Sequence, residues 1–345
     1  MKSLKKTIQM LKIAVLSPVA WRTPPRHYGP WEQMASNLTE GLVKKGHQVT
    51  LFATGDSITS SRLQSVCQQG YEEDKMQDAK VLECLHISRV MERAHEFDII
   101  HNHFDFLPLT YSRLIKTPIV TTIHGFSSVR ILPVYQKYND TSHYVSISDS
   151  DRSPLLSYER TVYNGLDPEL FPFQDTPDDY LLFFGRIHPD KGTYEAIQIA
   201  VGAGRKLIIA GIVQDENYFR EKVEPWLNDD IQFIGHVGPD QRAQLLGKAF
   251  ALLHPIFFNE PFGLSIVEAM LCGTPVIAFK RGSMAELIVD GKTGFLVTSS
   301  AEAIEKIELI STINRADCTA WATSRFSTME MIAGYEQVYE RIFNP

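Results

Sequence analysis

Residues 12–53 read KIAVLSPVAWRTPPRHYGPWEQMASNLTEGLVKKGHQVTLFA. The run Lys12–Ser17 is short, apolar and closed by a small residue, and a loop of prolines and aromatics follows as far as Trp31. From Glu32 to Lys45 the apolar residues Met34, Leu38 and Leu42 recur at helical spacing, and Gly46 supplies the stop. Gln48–Ala53 is again apolar and β-branched, so it reads as a second strand. Strand, loop, helix, strand is a βαβ unit, and such units build a parallel sheet with covering helices. Asp98–His101, Pro118–Ile123 and His143–Ile147 are further short apolar runs of the kind that buried parallel strands show.

The pattern restarts after a proline-spaced stretch, Leu166–Pro177, the best linker candidate. Strands are then predicted at Tyr180–Phe184, Lys206–Ala210, Ile231–Ile234, Ala251–His254 and Pro275–Ala278, with helices at Thr193–Val201, Gln241–Lys248 and Ser265–Cys272. Ser327–Ile342 reads as one amphipathic helix, with Met331, Tyr335, Val338 and Ile342 on one face. The reading is two doubly wound α/β domains, and in such sheets ligands bind at the carboxyl ends of strands. A length of 345 residues agrees with two domains.

Composition narrows the function. Hydrophobic residues at 44% and charged residues at 22% are those of a soluble globular protein, and 21 Gly, 18 Pro and 4 Cys exclude collagen-like, disordered and disulfide-scaffold chains. The net charge of −7 argues against a general nucleic-acid partner. Residues 1–168 carry 19 basic and 17 acidic side chains, whereas residues 169–345 carry 15 and 24. The cysteines Cys67, Cys84, Cys272 and Cys318 form no CxxC pair and read as buried small hydrophobes in a reducing compartment, taken as the cytoplasm. With no run of 18 apolar residues and no signal-peptide pattern, stable membrane insertion is not expected. Lys2, Lys5, Lys6 and Lys12, interleaved with Leu4, Ile8 and Leu11, could make a short basic amphipathic stretch touching anionic lipid, or a frayed terminus.

Two constellations carry chemistry. Glu260-Pro-Phe-Gly-Leu-Ser-Ile-Val-Glu268 follows the strand ALLHP, so Glu260 stands beyond a strand end. Gly263 permits close backbone approach, and Ser265 is positioned to cap a helix whose N–H groups and dipole attract an anion. Glu268 lies one turn into that helix. In the second, the strand at Leu181–Phe184 runs into Gly185-Arg186-Ile187-His188-Pro189-Asp190-Lys191-Gly192 before another helix. Two cations on a glycine-bounded loop suit a diphosphate, Arg186 as a planar fork and Lys191 as a point charge.

With these blocks the sequence resembles the retaining, nucleotide-sugar-dependent glycosyltransferases of family 4, which have the GT-B fold. The resemblance also takes in Thr122-Ile-His124-Gly125, Tyr163–Asp167, Gly282–Glu286 and Asp290–Leu296. It implies two Rossmann-like domains facing a cleft, residues 1–168 with 327–345 on the acceptor side and 169–326 on the donor side, the tail helix crossing back. It also implies roles. Arg186 and Lys191 would hold the donor diphosphate, near Gly185, and Glu260 would face the transferred sugar. Phe262, Gly263 and Leu264 would offer backbone contacts, and Glu268 would bind ribose hydroxyls. His236 and Val237 lie where the nucleobase edge is seated, and His124 matches the histidine that reaches the donor sugar. For His124 a packed strand-end histidine is the competing reading.

Many relatives place two consecutive glycines in the phosphate-facing loop of the first domain, whereas this chain has Gly29-Pro30. Pro30 lacks an N–H, so contact from this side falls to Gly29. Trp21, Tyr28 and Trp31 in the same loop suit either an aromatic acceptor platform or rim packing. His101-Asn-His103 has strand spacing but no third ligand, and the fold implied by the resemblance needs no metal or other cofactor. Asp98 and Asp105 read equally as structural or acceptor-side. The expected activity is sugar transfer, with retention, from a nucleotide-diphosphate sugar, foremost a UDP- or GDP-sugar, to a hydroxyl of a carbohydrate or small molecule. A silent sugar-nucleotide binding module and a GT-B-type epimerase are the alternatives. The nucleobase, sugar, acceptor and oligomeric state are not encoded legibly.

Overall fold

The computed structural model describes residues 10–126 and 128–344, so most of the lysine-rich opening lies outside the described residues. The chain divides into two compact units. The first runs to Ile147 and adds Arg152–Gly165 and the chain from Thr328 onward, and the second comprises Ser148–Asp151 and Leu166–Ser327.

Among the described residues the first unit holds a seven-stranded sheet: β1 (Lys12–Leu16), β2 (Gln48–Phe52), β3 (Arg62–Gln64), β4 (Ile99–Asn102), β5 (Ile119–Ile123), β6 (His143–Ser146) and β7 (Tyr158–Thr161). Its order is β3-β2-β1-β4-β5-β6-β7, with every neighbouring pair parallel. Central strands are covered on both faces, which is why Ile13, Ala14, Val15 and Leu16 are all fully buried and the run is unbroken. The edge strands β3 and β7 were not predicted, because half-buried edges such as RLQ and YERT carry no apolar run. The helix Ala79–Glu92 was likewise not predicted. Val81 and Leu85 remain exposed beside buried Leu82, Ile87 and Val90, which blurs its period.

The tail helix Thr328–Phe343 packs in this first unit. Its Met331, Ile332, Tyr335 and Val338 join Leu38 and Leu42 of the helix Pro30–Lys44 in one core. Each such side chain contributes ~1.5–3 kcal/mol on full burial.

The second unit holds β8 (Tyr180–Phe184), β9 (Lys206–Ala210), β10 (Ile231–Gly235), β11 (Ala251–His254), β12 (Val276–Phe279) and β13 (Gly294–Val297). Their order is β10-β9-β8-β11-β12-β13, again all parallel. The proline-spaced stretch belongs to this unit. Buried Arg315 ties it down, donating to the carbonyls of Gln174 (2.7 Å), Ala249 (3.1 Å) and Gly247 (2.5 Å). In both sheets the winding reverses beside the first strand, between β1 and β4 and between β8 and β11. Residues after those strands therefore meet at the crevice where such sheets take ligands.

Of the cysteines, Cys272 and Cys318 are buried and Cys67 half-buried, as small hydrophobes are. Cys84 departs from the expectation: it is exposed on the outer face of its helix. No described helix is long and apolar enough to cross a membrane.

Candidate active site

In the second unit, β8 and β11 are hydrogen-bonded neighbours, and their carboxyl ends bring the two constellations together. Gly192 (φ 72°) lies so close to Pro255 that a Cβ there would strike its carbonyl oxygen, and Phe257 N–H donates to the Asp190 carbonyl (2.8 Å). This contact carries Lys191 to Glu260: Nζ stands 2.5 Å from Oε2 and 4.5 Å from the centre of the Phe258 ring. Both side chains are largely buried, 14% and 13% exposed. His254, the last residue of β11, places Nε2 3.6 Å from the same Oε2, beyond hydrogen-bond range. Burial alone would raise the Glu260 carboxyl, but His254 and Lys191 outweigh it and hold the group at about 2. Burial and Lys191 lower His254, and Glu260 opposes them.

Arg186 is more exposed. It donates to Gln214 and lies 3.6 Å from Asp190, so its guanidinium is held beside the Lys191 loop. Gly185 leaves open space, since a Cβ there would meet nothing within 4 Å. Gly282 closes the other side. At φ 55° it runs against the backbone of Glu260, and Ser283 donates its N–H to the Glu260 carbonyl (3.0 Å). Ser283 Oγ also donates to the Phe262 carbonyl (2.5 Å), so that oxygen is already engaged.

The helix after Glu260 runs Leu264–Leu271 and is capped by Gly263 without any side-chain bond. This corrects the expectation for Ser265, which is the second helical residue and not the cap. The glycine turn lets the helix begin one residue early, and the first N–H groups of its opening turn remain without intrahelical partners. Glu268 is 5% exposed and pairs with Arg242 at 3.2 Å, from the helix Pro239–Lys248. Burial raises its carboxyl and Arg242 opposes the rise. His236 is exposed and Val237 buried just past β10.

In the first unit, His124 follows β5, half-buried, with Nε2 2.8 Å from Nδ1 of His103, which follows β4. Trp31 stacks on His124 with ring centres 5.7 Å apart and planes at 21°. Of the three loop aromatics, Trp31 is therefore a support for His124, while Trp21 is half-buried and Tyr28 is 42% exposed. Gly29 caps the helix Pro30–Lys44, with Pro30 in its first turn, where a missing N–H costs no helical bond. Glu32 folds back beside Gly29, 3% exposed. Its carboxyl is pushed up to about 7 by burial, against hydrogen bonds from its own and the Trp21 backbone.

His101 is not disposed as a metal ligand: Nδ1 meets Tyr339 Oη (2.5 Å) and Nε2 meets Thr122 Oγ1 (2.8 Å). Among the described residues no group of three or more His, Cys, Asp or Glu could hold a metal ion. Asp98 accepts from the Lys12 N–H (2.7 Å), a structural bond between strands. Asp105 accepts from Tyr135 Oη at φ 77°, and burial raises it to about 6. Arg242, His254, Glu32 and the pairing of His103 were not read from the sequence. Only His254 left a trace there, an ionisable residue closing an apolar strand.

A model described as Glycosyl transferases group 1 matches residues 171–322, and one described as Glycosyltransferase Family 4 matches residues 32–170. An uncharacterized glycosyltransferase of Methanocaldococcus jannaschii is 25% identical, covering 83% of this chain and 85% of its own. A glycogen synthase of Mycobacterium tuberculosis is 24% identical over 80% of each chain. The Anabaena protein HepE, solved in complex with UDP-glucose, shares the fold at a TM-score of 0.72, with 20% identity over 96% of this chain and 100% of that one. Matched through both of its units, the chain belongs to the family 4, group 1 glycosyltransferases and has their two-domain GT-B fold.

Proposed function

We propose that this enzyme transfers a sugar, with retention of configuration, from a nucleotide-diphosphate sugar to a hydroxyl of a carbohydrate or small-molecule acceptor. The observation that carries the reading is the buried Lys191–Glu260 pair at the switch point of the second sheet. Such a cation and carboxylate would serve as a phosphate-binding group and a hydroxyl-binding group for that donor. Complexes of HepE with UDP and UDP-glucose, which share this fold, are consistent with a uridine donor.

On donor binding Lys191 turns from Glu260 to the diphosphate, joined by Arg186 and by the opening N–H groups of the Leu264–Leu271 helix. Charge building on the departing phosphate is met by groups already in place, with no metal ion invoked. Glu260, freed, accepts from hydroxyls of the sugar, and Glu268 accepts from the ribose. Backbone groups of Phe262, Gly263 and Leu264 line the sugar–phosphate junction, Ser265 adds its N–H, and Gly29 offers a backbone N–H to phosphate. His236 and Val237 border the base. His124, backed by Trp31, contacts the donor sugar, and Trp21 and Tyr28 contribute to acceptor binding. The departing phosphate takes the acceptor proton on the face it leaves. Free, widely spaced cysteines fit a cytoplasmic setting.

A thermal-shift panel of UDP-, GDP-, ADP- and CDP-sugars identifies the donor, since a ligand at 100 times its Kd stabilises by about 2.7 kcal/mol. Nucleotide release with an acceptor series, and NMR of the product anomer, then test transfer with retention. Loss of turnover in Glu260→Ala and Lys191→Ala with the fold intact supports the assignment. Donor binding without release for any acceptor indicates a binding module, and conversion of the donor to its epimer without acceptor indicates an epimerase.

A further inference from the structure

His103 and His124 end on neighbouring strands of the first sheet, joined by one short contact, His103 Nδ1 to His124 Nε2 at 2.8 Å. Both rings are held in place from behind. His101 stacks on His103 with centres 4.7 Å apart and planes at 18°, and is itself fixed by Tyr339 and Thr122. Trp31 covers the face of His124. Burial keeps His124 at about 3 and His103 well below the ordinary histidine range, with the neighbouring histidines adding to the effect at His103, so both imidazoles are neutral.

A hydrogen bond between two neutral imidazoles contains one proton, and one ring must donate it. The other nitrogen of His103 decides which. His103 Nε2 is buried without a partner. Were His124 the donor, His103 would carry its proton on Nε2 and orphan a buried N–H. Were His103 the donor, only a lone pair would go unpaired. Buried N–H groups without acceptors are the rarer and costlier case. We infer that His103 is a positioning residue that donates from Nδ1 to His124 Nε2 and so locks His124 in the tautomer bearing its proton on Nδ1. His124 then presents a hydrogen-bond donor, suited to a sugar oxygen, whereas the opposite tautomer would present only an acceptor. The consequence for sugar binding rests on the role proposed for His124. The lock itself does not.

The test is long-range ¹H–¹⁵N NMR of the full-length protein, with His124→Ala to assign the ring, alongside kinetics with UDP-glucose as the probe donor. The wild type is expected to show the Nδ1–H form of His124. His103→Asn, whose amide nitrogen can occupy the Nδ1 position, retains it. His103→Leu loses it, and the UDP-glucose KM rises about tenfold, the worth of one hydrogen bond. An Nε2–H form of His124 in the wild type overturns the inference, as does a His103→Leu variant that keeps the Nδ1–H form. If His124→Ala binds UDP-glucose as the wild type does, the sugar-contact role of His124 fails while the tautomer measurement still decides the lock.

Discussion

Replacing Lys191 with methionine removes one charge while keeping most of the aliphatic stem against Phe258. The cost can be worked from Glu260. Its carboxyl lies at about 2 in the folded protein against 4.5 ordinarily. At 1.36 kcal/mol per pH unit that gap is worth ~3 kcal/mol of stability, shared between Lys191 and His254. A carboxyl depressed in this way stabilises the fold above pH 4.5, and the contribution is lost as pH falls through about 2. Lys191→Met should therefore cost roughly 2–3 kcal/mol at pH 7, a fall in unfolding temperature of about 5–10 °C. Its stability should also decline less steeply than the wild type's between pH 4.5 and 2. Turnover should drop by about 10²–10³-fold, as when one preorganised donor is removed from a developing charge.

Urea unfolding in a double-mutant cycle with Glu260→Gln isolates the pair. A neutral amide at residue 260 does not need the cation, so Lys191→Met should cost less than ~1 kcal/mol in that background. Equal costs in both backgrounds would show that the two groups do not couple, and near-normal turnover in the single variant would refute the diphosphate role of Lys191.

Arg242→Ala leaves Glu268 buried without its cation, and thermal unfolding at pH 7 should record a loss of about 1–3 kcal/mol together with weaker UDP-glucose binding. Glu32 has the opposite sign from Glu260. A carboxyl raised to about 7 stabilises fully below pH 4.5 and loses that contribution as pH rises through 7, so unfolding from pH 5 to pH 8 should favour Glu32→Gln over wild type by up to ~3 kcal/mol. An unchanging difference between the two across that range would contradict it. Gly282→Ala drives a Cβ into the Glu260 backbone from a left-handed conformation and should cost more than ~2 kcal/mol in urea unfolding, with turnover falling alongside.

Much of this protein is written in short-range pattern. Buried parallel strands must be apolar on both faces, so KIAVL, YLLFF and ALLH announce themselves. The loops at their carboxyl ends, GRIHPDKG and NEPFG, display the charged residues that matter. The edge strands β3 and β7 and the half-exposed helix at Ala79–Glu92 stayed hidden because solvent on one side relaxes that pattern. What no local pattern could state is who meets whom. Lys191 and Glu260 are 69 residues apart, and they touch because β8 and β11 are neighbours. His103 faces His124 because β4 lies beside β5. Arg242 reaches Glu268 across two helices, and although burial raises all three carboxyls, the partners the fold supplies leave Glu268 and Glu32 raised and Glu260 lowered. Residue type and position along the chain determined which groups stand at the strand ends. Sheet order and desolvation, which exist only in the folded molecule, decided their partners and their protons.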